Sequence, residues 1–252
     1  MPQPQDAVAF GFLTLNDAPI RSSTKSISDP AMYSNLTYDA AADFAAVIPF
    51  GSVPNVLIIA PSKGIKTVHD LVAVAKAKPG VFNYGSVGVG SATHLSIERF
   101  RLSAGIDLVH IPFKGGPEAL TEVIAGRVEL YFCPINTALP YIRDGRVIPL
   151  AVNSFARAAA LPDVPTTLEA GYRDAELPIW LGMLAPVKTP RAIIEKLHRE
   201  TARALQVPAT KDKLTQNGVE PMVMTPAEFD ARVKADIAAN GALVKAAGIK
   251  TN

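Results

Sequence analysis

The stretch NYGSVGVGSATHLSIERF, residues 83–100, places three glycines and three small hydroxyl residues just ahead of an apolar run with helical spacing. Glycine has no Cβ, so it lets the backbone turn sharply and lets another group approach closely. The start of a helix leaves unpaired N–H groups and the positive end of a dipole. Together these features suit an anion. An ordinary tight strand-to-helix connection would use the same residues, and the loop alone does not separate the two.

Three enzymatic motifs come close to this loop and none closes. Gly85 to Ser91 spells G-x-x-x-x-G-S, but a phosphate-binding Walker loop needs lysine where Ser91 stands. Counting from Gly88, the dinucleotide pattern fails at its third glycine, which is Thr93. A nucleophile elbow needs glycine two residues before the serine, and Tyr84 and Val89 hold those places ahead of Ser86 and Ser91. What survives is a turn with Ser91 as N-cap of the helix that follows.

The remaining reactive side chains add little chemistry. His94 and Glu98 stand four apart on a helix and could pair, with no third ligand in view for a metal. His69 and His198 fall on polar helix faces and read as solvated, while His110 in DLVHIPF reads as a core or rim residue. Cys133 is the single cysteine, which excludes an intrachain disulfide; it reads as a small buried hydrophobe without a base beside it. No carboxylate pair and no Ser/His/Asp set can be assembled, so no catalytic residue and no metal or cofactor is assigned.

The elements that must position the loop follow a regular rhythm. NVLIIAP (55–61) is a β-branched run ended by proline and predicts a buried strand. TVHDLVAVAKAKPG (67–80) predicts a helix with Thr67 as N-cap, Asp70 at the third position and Val68, Leu71, Val72 and Ala75 on one face. Strands at VFNYGS, DLVHIPF, VELYFCP and VIPLAVNS alternate with helices to about Ser103, at GPEALTEVIAGR with Pro117 at its start, and at NTALPYIRDG. This alternation predicts βαβ units and a parallel or mostly parallel sheet. The segment 156–178 breaks the rhythm with three prolines. IWLGMLAP then restarts a strand, and two long helices follow; the first, PRAIIEKLHRETARALQ, sets Ile193, Ile194, Leu197, Ala202 and Leu205 on one stripe.

Composition narrows the class. With 48% hydrophobic and 19% charged residues among 252, a packed core is expected and disorder is not. A net charge of +2 with mixed signs and no basic block argues against nucleic acid. No apolar run approaches the ~18 residues that span a bilayer, so membrane insertion is not expected. The opening MPQPQDAVAF has neither a basic n-region nor an apolar h-region, so the chain as written carries no secretory signal.

Several stretches resemble one family in order and spacing: YGSVGVGSATHL, VHIPFKGGPEALTEVIAGRVELYF, ALPYIRDGRVIPLAVNS, RAAALPDVPTTLEAGY, WLGMLAPVKTP and GVEPMVMTPAEF. The set is similar to the Bug type (Bordetella uptake gene), the periplasmic solute-binding proteins of tripartite tricarboxylate transporters, from about Asp29 to Ile249. The resemblance implies an α/β, type II periplasmic-binding-protein fold, with two doubly wound lobes joined by two crossover strands. The Pro-rich break and the restart near Trp180 put residues 1–53 plus 179–252 in lobe 1 and 54–178 in lobe 2. A small carboxylate would lie in the interlobe cleft, held by Ser86, Gly88, Gly90, Ser91, Thr93 and His94 and by Phe113, Lys114 and Gly115 of the FKGG segment. Ser23 and Thr24 are the candidates from the other lobe.

The resemblance also implies membrane subunits of a transporter as partners, a periplasmic location and a monomer when complete. Two departures stand out. The chain begins after the family's first two βα units, so the first lobe is expected to lack them, and LNDAPIRSSTKSIS is longer and more polar than its counterpart. Cys133 stands where an acidic residue is usual, which would alter polar contacts on one cleft wall. Two other readings stay open: a sensor that docks on a signalling receptor, and an enzyme built on the same fold.

Overall fold

The computed structural model describes Leu36 and residues 38–250, and the chain falls into two compact units. Unit 2 is Val53–Ile179; unit 1 holds the described residues before Val53 and those from Trp180 onward. In chain order the elements are β1 Phe44–Val53, β2 Asn55–Ile59, α1 Val68–Ala77, β3 Asn83–Ser86, α2 Ala92–Ala104, β4 Val109–Pro112 and α3 Gly116–Ile124. They continue with β5 Leu130–Pro134, α4 Ile135–Arg143, β6 Ile148–Val152, β7 Ile179–Pro186, α5 Arg191–Gln206, α6 Pro208–Gln216 and α7 Pro226–Ala246.

Unit 2 is a five-stranded sheet in the order β4-β3-β5-β2-β6, with helices on both faces. Side chains alternate across the strands, so Leu57, Ile59, Leu130 and Phe132 pack under α1 and α2. Val56, Ile58, Tyr131 and Cys133 face α3 and α4. Because both faces are covered, β2 and most of β5 are buried along their length, which is why those segments read as unbroken apolar runs. Cys133 lies wholly inside this second apolar layer.

The sheet is mixed rather than parallel throughout. β3 runs parallel to β4 and β5, whereas β2 is antiparallel to both its neighbours, β5 and β6. The parallel rule comes from a helical crossover that joins neighbouring strands. β2 has no strand next to it in sequence as a sheet neighbour, so no such crossover sets its direction. Helix ends follow the expected chemistry: Thr67 accepts from the Asp70 N–H at the start of α1, and Gly105, in the left-handed region at φ 61°, closes α2.

In unit 1, β1 and β7 pair as two strands with apolar residues on both faces. One face meets Phe229 and Val233 of α7; the other meets Ile194, Ala202 and Leu205 of α5. Both long helices expected here are present, as α5 and α7; the strand FAAVIPFGSV and the short α6 between the two helices were not anticipated from sequence. The α5 stripe is only partly used, since Ile193 and Leu197 are 48% and 37% exposed while Ile194 is buried. α7 begins with a full capping box between Thr225 and Glu228, with Pro226 in its first turn.

Gly182 of β7 has no room for a side chain. A Cβ there would stand 2.5 Å from Phe229 Cζ and 3.1 Å from the Ile48 carbonyl oxygen. Phe229 is fully buried and packs edge-on against Trp180 at 4.9 Å between ring centroids. Gly182→Ala is therefore expected to destabilise unit 1 by about 1–3 kcal/mol through overpacking. Urea unfolding followed by fluorescence of Trp180, the protein's single tryptophan, reads this directly. An unchanged midpoint would mean that Phe229 moves aside without cost.

Candidate functional site

Three adjacent parallel strands, β4, β3 and β5, end at the same edge of unit 2's sheet, and each leads straight into a helix. The carboxyl edge of such a sheet gathers helix N-termini and is where α/β proteins place ligands. Residues 87–91 join β3 to α2 and residues 113–115 join β4 to α3. The two segments singled out in sequence thus lie on neighbouring connections of one edge. Ser23 and Thr24 lie outside the described residues.

Within the glycine loop most backbone donors are already used. The Val87 N–H donates to Thr93 Oγ1 at 3.1 Å, Gly88 to Ser86 Oγ at 3.1 Å, Gly90 to His94 Nδ1 at 2.9 Å and Ser91 to the Gly88 carbonyl at 3.2 Å. Ser91 Oγ caps α2 by accepting from the His94 N–H at 3.2 Å. Gly88, Gly90 and Ser91, which the resemblance places against a carboxylate, therefore have no bare N–H group to offer it. Gly88 and Gly90 are needed for shape: their φ values of 120° and 75° are reached readily only without a Cβ. The N–H groups that make no hydrogen bond to a described residue are those of Val89, Ala92 and Thr93.

Beneath the loop lies a stack of three rings. His94 and His110 are parallel within 8° at 3.9 Å between centroids, and Tyr84 lies 4.9 Å from His110. His110 Nε2 stands 2.6 Å from Ser86 Oγ, the acceptor of the Gly88 N–H. His94 does not pair with Glu98; that carboxylate accepts from Tyr84 Oη at 2.5 Å and from Arg101 at 2.7 Å. Burial, followed by the neighbouring His110, holds His94 at about 4, with Glu98 pulling the other way and Arg101 adding to the lowering. His110 is also lowered, by burial. His198, in unit 1, is half-buried with Nε2 3.2 Å from the Met224 carbonyl, so it is not the solvated side chain expected; His69 is exposed.

The α2 and α3 N-termini differ in charge. Gly115 caps α3 without a side chain, but Glu118 in its first turn folds back so that Oε2 would stand 3.0 Å from a Cβ at Gly115. That carboxylate already complements the helix end. α2 has no acidic residue in its first turn. Lys114 is exposed beside the α3 start and makes no ion pair with a described residue, while Phe113 is half-buried against the α3–α4 side of the sheet. Tyr131 Oη is fully buried without a hydrogen-bond partner, 3.4 Å from where a Cβ of Gly116 would stand.

A polar cluster that sequence reasoning did not find anchors α2 to the sheet. Ser96 Oγ donates to the Ala92 carbonyl at 2.8 Å and accepts from Asn153 Nδ2 at 2.9 Å and Asn55 Nδ2 at 3.4 Å. Asn153 Oδ1 in turn accepts the Asn55 N–H at 2.8 Å, and all three residues are fully buried. The only hint in sequence was an asparagine flanking each of the apolar runs NVLII and PLAVN. Unit 1 holds a cavity of about 200 Å³ lined mostly by carbon, from Ile48, Phe50, Ala202, Leu205 and Met222 among others. His198, Gln206, Lys211, Thr225 and Glu228 also line it, but most of its wall is carbon, so its size alone does not make it the better candidate for a polar ligand. Among the described residues no cluster of three metal-ligating side chains occurs, and no helix is long and apolar enough to cross a membrane.

The family model of the tripartite tricarboxylate transporter family receptor matches residues 19–249. The chain belongs to this family. A UPF0065 protein of Bordetella pertussis is 30% identical over 221 residues, 88% of this chain and 68% of that protein. Rpa4515 of R. palustris, solved with adipate, is 32% identical with a TM-score of 0.78 over 90% of this chain and 76% of that one. The periplasmic binding protein BugD is 28% identical with a TM-score of 0.76, covering 89% and 76%. These likenesses identify the fold as the α/β fold of periplasmic solute-binding proteins and the family as the Bug type. The chain spans 60–68% of the length of three curated relatives.

Two outcomes follow from this geometry. Ser96→Ala would strip Asn55 and Asn153 of a buried partner and is expected to cost about 1–3 kcal/mol. Ser103→Ala, on the exposed side of α2, loses only a solvent-exposed hydrogen bond to the Arg173 carbonyl and should cost less, about 0.5–1 kcal/mol. Hydrogen exchange of the α2 amides distinguishes the two, and equal protection would remove the anchoring role. A histidine held below its ordinary 6.5 takes up its proton more readily in the unfolded chain, so its stabilising contribution is complete above pH 6.5 and is lost as pH falls toward 4. The same exchange measurement should show unit 2 weakening through that window; constant protection would mean that His94 is not held neutral.

Proposed function

We propose that this receptor captures a small carboxylate and that one carboxylate group binds at the carboxyl edge of unit 2, on the start of α2. The observation that carries this is the set of unspent N–H groups at Val89, Ala92 and Thr93, on a helix end with no acidic residue in its first turn. Anions are stabilised there by the free donors and by the positive end of the helix dipole. Ser91 is the adjoining polar group, Lys114 lies on the neighbouring β4–α3 connection, and Thr93 Oγ1, 3.1 Å from Ser91 Oγ, holds the turn. A relative 32% identical was solved with adipate, which supports a dicarboxylate as the class to test first. Transfer to membrane subunits of a tripartite transporter, a periplasmic site of action and correspondence of the two units with the two lobes of a binding protein complete the proposal.

Ser91→Asp separates binding from folding. Aspartate caps a helix as well as serine does, so the thermal stability of unit 2 should hold or rise. Its charge would sit where the ligand carboxylate must go, and loss of one charge-assisted contact, worth about 1.5–3 kcal/mol, predicts at least about a tenfold drop in affinity. Ser91→Ala should do the reverse, losing about 1 kcal/mol of capping while binding stays within a few-fold. Thermal shift against mono-, di- and tricarboxylates, then calorimetry on the best ligand, gives both readouts. Equal affinity of Ser91→Asp and the unaltered chain would move the site elsewhere.

A further inference from the structure

We infer that His94 is the positioning residue of this anchor, and that it holds the loop only while its Nδ1 carries no proton. The inference rests on the anchor reading above and adds what keeps the anchor in shape and when it fails. The Gly90 N–H donates to Nδ1 at 2.9 Å, and a donated hydrogen bond requires a lone pair on that nitrogen. The ring is therefore the neutral tautomer with its proton on Nε2. A protonated ring would set one N–H against another inside a site where both residues are buried, so the Gly90 bond must break.

The surroundings leave little to stabilise an extra proton. From β4, His110 stacks on the ring at 3.9 Å; from β3, Tyr84 lies at 6.0 Å; from α2 itself come Glu98 and Arg101. Glu98, the single anion of this set, is engaged by Arg101 and by the Tyr84 hydroxyl. The low pKa of His94 agrees with this arrangement. His110 supports the same loop one step away, through Ser86 Oγ to Gly88. The two rings thus grip the loop at Gly88 and Gly90, on either side of the unspent Val89 N–H. Protonation releases the second grip and with it the fixed placement of the Val89, Ala92 and Thr93 donors.

Two measurements on the 252-residue chain test this. Long-range nitrogen–proton spectra of the histidine rings, without ligand, should show Nδ1 of His94 unprotonated from neutral pH to about pH 5. The Gly90, Val89 and Thr93 amide signals should shift at the same lower midpoint as the ring. Adipate affinity is then compared in the unaltered chain, His94→Asn and His94→Leu, each checked for folding by the same spectra. Asparagine can offer an acceptor near the Nδ1 position and should bind within about threefold near pH 7; leucine leaves the Gly90 N–H unpaired and should bind at least about tenfold more weakly. Below about pH 5 the unaltered chain should lose affinity faster than His94→Asn, a difference in which the titration of adipate itself cancels. A ring that titrates near its ordinary value without moving the Gly90 amide overturns the inference, as does full binding by His94→Leu. Failure of the unaltered chain to bind adipate or any other carboxylate would strike at the anchor reading, and the ring spectra would still decide the role of His94.

Discussion

A glycine loop is useful to a ligand only if something other than the ligand holds it still, and here the hydrogen bond from the Gly90 N–H to His94 Nδ1 does so. The bond runs from the loop into the helix that the loop begins, so loop and helix end become one rigid piece. It also decides which donors remain. With Gly90 tied to His94, Gly88 to Ser86, Val87 to Thr93 and Ser91 to Gly88, the unspent N–H groups are those of Val89, Ala92 and Thr93. The glycines do not present their own amides; they allow the turn that presents their neighbours'.

Charge then separates two connections that look alike in outline. α3 has glycines at its start and a lysine beside it, which makes it the more obvious anion site by composition. Its own Glu118 lies against that helix end, whereas the first turn of α2 carries no acid. The ion pair that could have neutralised the second site, His94 with Glu98, does not form, because Arg101 and Tyr84 bind the carboxylate instead. The proposed anion site at the start of α2 thus keeps no acidic side chain in its first turn.

Much of unit 2 was legible because its signals are local. The N-caps Thr67 and Ser91, the terminator Gly105 and the apolar runs of β2 and β5 each depend on a few consecutive residues. What sequence could not show depends on partners far apart in the chain. The direction of β2 is set by β5 and β6, strands that come much later in sequence, in the register Asn55 to Pro134 and Val56 to Val152. The ring stack joins Tyr84, His94 and His110 from three elements, and the Ser96 cluster joins residues 55, 96 and 153. Helical spacing made His94 and Glu98 look like a pair, since four residues bring two side chains to one face. Spacing gives proximity, and the stronger acceptor went to the arginine one turn on.

The cost of this design falls on folding rather than on binding. Donors that are ordered before a ligand arrives need not be ordered by it, so less of the interaction energy is lost to restricting the loop. The ordering is supplied by buried polar groups, each of which is stabilising only while its partner is in place. Asn55, Ser96 and Asn153 fix the first turn of α2 against the sheet; Ser86, His94 and His110 fix the loop against that turn. Every one of these groups has moderate or no exposure, so water cannot readily take the place of a lost partner. A network of this kind holds a fixed shape near neutral pH and loses it when one imidazole takes up a proton. On the proposed reading, the rigidity that would ready the loop for a carboxylate and the acid sensitivity inferred for it arise from the same bond, Gly90 N–H to His94 Nδ1.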